Sequence, residues 1–287
     1  MESFETRESL EMQMALIEQW EADQKGLLFW EKIGRIPFRI LDRLTPKFIH
    51  EKVGQILDEL GYYVQTGGRY LVSEKHICKT YTKKLNKDTV TIPDIAEQPI
   101  QTMNEVASAY IKTTKSIAMV QGATTGVGGF LTLSIDIPIL LGLSLKTLQE
   151  IAMCYGFDPN DRKERIFIVK CMQFASSDIV GKKAILDELS TYDSHSDSRS
   201  NKHVISQLQG WREVMITFRD NFGWKKLFQM VPVVGMVFGA VINKSTIEDV
   251  AEVGMLLYQK RRILKRLEDL AHKPISDTQK KEDSSSD

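Results

Sequence analysis

Three carboxylates stand in or beside stretches that are otherwise almost free of charge, and they are the first candidates for chemistry: Asp136, Glu150 and Asp249. An ionised group in an apolar run must be paired, face a cavity, cap a helix or take up a proton. Asp136, in Ser134-Ile135-Asp136-Ile137-Pro138, is placed for helix capping, where its carboxylate would accept backbone N–H bonds and favour the helix dipole. Glu150 follows Lys146 by four residues, the spacing of a pair on one helix face. An acid/base pair of Asp136 and Glu150 would need oxygens within several ångströms, whereas about four turns separate them on one rod. Only a sharp break between them would make that hydrolase reading work, and Asp249 is the alternative partner.

Other reactive patterns are missing. The histidines are His50, His76, His195, His203 and His272, with no H-E-x-x-H and no Cys/His cluster at metal spacing, so they read as surface residues and no metal is expected. Cys78, Cys154 and Cys171 form no C-x-x-C pair, and an odd, small number suits a reducing compartment better than a disulfide framework. No G-x-S-x-G elbow occurs, and the glycines between 122 and 129 lack the Lys-Ser/Thr ending that cradles a phosphate. No cofactor is expected.

The elements that must position these residues read as helices, because apolar positions recur at three and four residues and alternating Val/Ile/Thr runs are nearly absent. The fold class is all-α, a helical bundle with two Gly-rich apolar helical hairpin segments. An acidic first helix carries Leu10, Met14, Ile17 and Trp20 as its stripe. Residues 82 to 99 read as a polar connector, with a helix from Ile100 toward Lys115. From Ser116 to Leu145 the only charge is Asp136, which is long enough for a spanning helix. Its glycines and Pro138 favour a broken hairpin over one straight rod. Asp158-Pro159 signals the start of an amphipathic stretch to residue 189, and the Ser/Asp-rich residues 190 to 202 read as a linker. A second uncharged run covers 227 to 243 and leads into a charged helix ending near Leu270. Both runs carry G-x-x-x-G, at Gly122 to Gly126 and Gly235 to Gly239, a spacing that lets helix backbones approach closely.

The overall charge is 38 basic against 38 acidic side chains, which argues against a nucleic-acid binder. Locally, Arg35, Arg39, Arg43 and Lys47 recur every four residues among apolar neighbours such as Phe38, Leu41 and Phe48. That segment suits anionic headgroups, with the ordinary solvated face as the alternative. The acidic start Met-Glu-Ser-Phe-Glu lacks the cationic, apolar pattern of a signal peptide, so a start in the cytosol is expected.

Taken in order, Gly122-Ala-Thr-Thr-Gly126-Val-Gly-Gly129, Asp136-Ile-Pro138, Gln149-Glu150-Ile-Ala152 and Tyr155-Gly156-Phe-Asp158 resemble the EcsC family. Val231-Pro232-Val-Val-Gly235, Asn243 and Thr246 are similar to its second apolar block. The resemblance spans about residues 10 to 270 and implies a bacterial helical protein whose founding member is encoded beside the ATPase and permease of an ABC transporter. It implies signature positions only, with no catalytic residue: Gly122, Gly126, Gly129, Asp136, Pro138, Glu150, Tyr155, Gly156, Asp158, Pro232, Gly235 and Asn243.

The expected organisation is an amphipathic helical region over 1–99, a helical core over 100–272 holding the apolar segments 116–145 and 227–243, and a disordered tail over 273–287. The expected function is that of a non-enzymatic accessory or scaffold on the cytoplasmic side of the cell membrane, peripheral or partly inserted. Its partner would be the lipid bilayer or a membrane protein complex, possible links including an ABC transporter. The alternative is a soluble protein that handles lipids or other hydrophobic ligands.

Overall fold

The computed structural model describes residues 5–24, 72–127, 133–177, 179–190 and 232–272. The basic segment with Arg35, Arg39, Arg43 and Lys47, the linker after Ser190, Gly129 and the tail 273–287 lie outside the described residues. All secondary structure among the described residues is helical: α1 (Arg7–Gln24), α2 (Glu74–Leu85), α3 (Ile92–Ala96), α4 (Ile100–Val127), α5 (Leu133–Cys154), α6 (Arg162–Ser176), α7 (Ile179–Ser190) and α8 (Pro232–His272).

The central unit is made of α4, α5 and α8. Asn104 meets Tyr155 and Thr114 meets Glu150, so α4 and α5 run antiparallel as a hairpin. Gly122 meets Gly239, Lys115 meets Glu248, and Ile100 shares a cluster with Ile263, so α8 is antiparallel to α4 along its whole length. At a 1.5 Å rise per residue, the 41 residues of α8 are about 60 Å long.

Around this unit the largest buried side chains are aromatic. Tyr81, Tyr155, Tyr258, Phe167 and Phe174 are fully enclosed, and burying a side chain of this size is worth roughly 1.5–3 kcal/mol. Helix α1 lays Leu10, Met14 and Ile17 on α8, the stripe its spacing predicts. Glu21 pairs with Lys260, and the Trp20 indole donates to Glu252 at 2.9 Å. Helix α7 is pinned to α6 by the buried Lys170, which pairs with Glu188.

Several expected boundaries move. The polar connector contains α3, because Thr91 and Asp94 form a capping box around Pro93 and satisfy the first free N–H groups. The amphipathic stretch starts later than Asp158-Pro159: Asp161 caps α6, accepting from the Lys163 N–H at 3.0 Å. Helix α4 passes beyond Lys115 into the uncharged run and stops at Val127, so the 116–145 stretch is divided between two helices. Among the described residues, no helix is long and apolar enough to cross a membrane. The capping role of Asp136 is also corrected. Helix α5 already begins at Leu133, which makes Asp136 a residue of its opening turn. Pro138 lies inside the helix, where it cannot give the bond that another residue's N–H would have given.

Candidate functional site

The signature positions do not converge on one place; they occupy three levels of the α4–α5–α8 unit. At one end Gly122 lies against α8 so closely that a Cβ there would stand 2.1 Å from the Gly239 carbonyl oxygen. No side chain fits that gap, and the two G-x-x-x-G segments are in contact as their spacing implies. Asn243, fully buried, donates from Nδ2 to the Gln121 Oε1 at 3.0 Å and supplies a polar link across the same contact. Gly126 is buried in α4, while Pro232 and Gly235 belong to the first turn of α8.

This end leaves apolar side chains uncovered on all three helices. Val120, Val237 and Val241 are 59%, 61% and 59% exposed, and Ile117, Met119, Ile139 and Met236 are exposed beside them. A run of lysines, Lys112, Lys115, Lys146 and Lys244, marks where charge resumes. Lys115 and Lys244 both pair with Glu248.

At the middle level a cleft of about 280 Å³ opens between α2, α4 and α5, its lining including His76, Tyr110, Thr114, Lys146 and Glu150. Glu150 forms its floor. Its side chain is 7% exposed, against 31% for Lys146, with which one of its oxygens pairs. The other oxygen accepts from Thr114 at 3.5 Å, at the weak limit of a hydrogen bond. Burial raises the Glu150 carboxyl above its ordinary range, an effect only partly offset by Lys146 and Thr114. The Tyr110 hydroxyl shares a 2.7 Å hydrogen bond with Thr80, and its ring meets His76 edge to face at 5.8 Å. These contacts brace one wall.

At the far end Tyr155 and Gly156 close α5. Gly156 has φ +71°, and a Cβ there would lie 2.6 Å from the Ala96 backbone; both facts demand glycine. Arg262 from α8 donates to the Tyr155 carbonyl at 2.5 and 3.0 Å and to the Gly156 carbonyl at 3.2 Å, satisfying groups that a helix end leaves orphaned. Arg261 forms a two-pronged pair with the buried Glu164 at 2.7 and 2.8 Å, its guanidinium over Phe157 and Phe167. Arg266 reaches the Gln98 carbonyl and Glu5, whose other oxygen accepts the Ile100 N–H at 2.6 Å. Asp158 turns inward on its own loop, accepting from the Asn160 N–H at 2.8 Å.

The pairing of Asp136 with Glu150 fails on this geometry. Asp136 and Glu150 belong to one continuous helix, so fourteen residues place them about 21 Å apart along its axis. Asp249, the alternative partner for Asp136, is exposed. Among the described residues no group of His, Cys, Asp and Glu gathers that could hold a metal ion. Burial raises the Cys154 thiol well above its ordinary value, which makes it a packing residue rather than a nucleophile.

Residues 11–263 match the EcsC protein family. The chain belongs to that family. It is 56% identical over 266 residues to the uncharacterized protein YdbA of Bacillus subtilis strain 168, covering 92% of this chain and 97% of the relative. It is 26% identical over 260 residues to Protein EcsC of the same organism, covering 91% of this chain and 98% of that one. No solved structure matches. What sequence reasoning missed in this EcsC-family chain are the arginines Arg261, Arg262 and Arg266 and the cleft residues of α2. Their partners lie far off in sequence, and no local spacing announces them.

Proposed function

We propose that this protein is a non-enzymatic accessory or scaffold that works on the cytoplasmic side of the cell membrane, the uncharged end of α4, α5 and α8 dipping into the bilayer surface. One observation carries the reading: Ile117, Met119, Val120, Ile139, Met236, Val237 and Val241 are exposed on the stretches of α4, α5 and α8 whose one charged residue is Asp136. Exposed apolar groups gathered in this way mark a contact with lipid or with another protein. From Lys115 to Val127 the uncharged part of α4 is about 18 Å long, comparable with the roughly 15 Å of one hydrocarbon leaflet. Partial insertion therefore needs no spanning helix. The basic residues Arg35, Arg39, Arg43 and Lys47 would add attraction to anionic headgroups. The machine it serves would be a membrane complex, an ABC transporter being the one suggested by the family resemblance.

Flotation with liposomes of mixed zwitterionic and anionic lipid tests this. The full chain should rise with the vesicles, and Val120→Asp with Val237→Asp should leave it at the bottom of the gradient. Full-length, folded protein that never floats would overturn the reading.

A further inference from the structure

We propose that the cleft between α2, α4 and α5 binds a small zwitterion, a primary ammonium joined by a short linker to an oxyanion, the chemistry of phosphoethanolamine either free or as a lipid headgroup. The site rests on its own geometry; only the lipid source rests on the membrane reading above.

Charge matching decides the ligand class. The floor carries one carboxylate, Glu150, and the rim one mobile cation, Lys146, a third exposed and attached through four methylenes. A carboxylate has about four acceptor sites, and Glu150 uses one firmly, on Lys146, and one weakly, on Thr114. An entering ammonium takes over Glu150 and frees Lys146 to turn outward onto the oxyanion. One ion pair becomes two, and no buried charge is left alone. A lone anion fits badly, because it would draw Lys146 away and leave Glu150 buried without its counter-charge. A lone amine is tolerated, because the freed Lys146 can be solvated.

The rim favours the anionic half of the same molecule. Ser73 is the N-cap of α2 and its side chain makes no capping bond, so the helix presents its positive end and a free hydroxyl beside His76. The volume of about 280 Å³ falls just below the range of roughly 300–1,000 Å³ for drug-sized ligands, which suits a headgroup rather than a whole lipid. Glu150 has to receive N–H donors in a narrow floor, so a trimethylammonium, which has none, is excluded. Thr114 and Tyr110 hold the floor and wall in place from α4, with Thr80 bracing the Tyr110 hydroxyl.

Calorimetric titration of the full chain with phosphoethanolamine, ethanolamine and inorganic phosphate tests the proposal. Saturable binding of phosphoethanolamine, weaker binding of ethanolamine and none of phosphate is expected. Glu150→Gln should weaken phosphoethanolamine by about tenfold or more, as a lost charged hydrogen bond does. Lys146→Met, at a part-exposed position, leaves Glu150 without its competing cation, so it should tighten ethanolamine and erase the advantage of phosphoethanolamine over it, and thermal melting should show both variants folded. Phosphate binding as tightly as phosphoethanolamine, or a folded Glu150→Gln that binds normally, would overturn the site. In a second arm, vesicles rich in phosphatidylethanolamine should retain the chain better than phosphatidylcholine vesicles, and Glu150→Gln should erase the difference. Binding of free phosphoethanolamine without that preference supports the cleft and assigns it to a soluble ligand.

Discussion

The two ends of the α4–α5–α8 unit are held together in opposite ways. At the Tyr155 end, Arg261, Arg262 and Arg266 reach across from α8 to a buried carboxylate and to backbone carbonyls. At the Gly122 end the same α8 comes so near α4 that backbone touches backbone, with Asn243 and Gln121 as a polar link. The first arrangement turns the buried Arg261 and Arg262 onto internal partners. The second carries Asp136 as its one charged residue on these helices and leaves valines, isoleucines and methionines exposed.

Variants at both ends sharpen this contrast. The largest loss is expected for Arg261→Met, which strands Glu164 in the interior; breaking a buried pair costs about 3–5 kcal/mol. Chemical denaturation should show it, and adding Glu164→Leu should recover most of the loss. Gly156→Ala comes next, with about 1–2 kcal/mol from the left-handed backbone and a further penalty from the Ala96 contact. Gly122→Ala forces α4 and α8 apart, an overpacking worth roughly 1–3 kcal/mol. A tolerated Gly122→Leu with unchanged melting would break the comparison, since it would mean that the backbone contact does not hold that end. Val237→Ser should shift stability by no more than about 0.5 kcal/mol, as exposed positions do, yet lower vesicle binding.

The smallest effect is expected in the cleft. Burial holds the Glu150 carboxyl above its ordinary range, so the folded state prefers the protonated form and is burdened by the ionised one at pH above the folded value. Lowering the pH through that range should therefore relieve the burden. Glu150→Gln at pH 7 should melt at the same temperature or slightly higher than the parent chain. A clear drop would show the ion pair with Lys146 to be stabilising, and would remove the argument that this carboxylate is kept at a cost to stability.

Much of this was legible along the chain where the cause is local. The stripe of Leu10, Met14 and Ile17, the Lys146–Glu150 pair at one turn's spacing and the hairpin in the 116–145 run depend on neighbours three, four or a few tens of residues away. Gly122 and the second G-x-x-x-G were readable because only small residues permit close approach, although their spacing does not say that Gly122 meets Gly239 in particular. Asp136 misled for a physical reason: the rule that proline opens a helix placed the start at Ile137, but α5 absorbs Pro138 in its second turn. The arginine contacts were not legible at all. Arg262 meets carbonyls 106 and 107 residues away, and a backbone acceptor leaves no mark in the sequence. The cleft needed His76 and Ser73 from a helix far from Glu150, and no periodicity links them.

The pairing of α1 with α8 has a consequence for how the chain is made. Gln13 bonds Gln259 across 246 residues and Trp20 bonds Glu252 across 232. During synthesis, the apolar stripe of α1 therefore leaves the ribosome long before the helix that will cover it exists. While those intervening residues are added, at about 5–20 residues per second, Leu10, Met14 and Ile17 must be shielded by something other than their final partner. The acidic residues flanking them, Glu8, Glu11 and Glu18, suit that waiting helix to water, and α8, carrying Lys260 and Arg266, covers the stripe once it emerges.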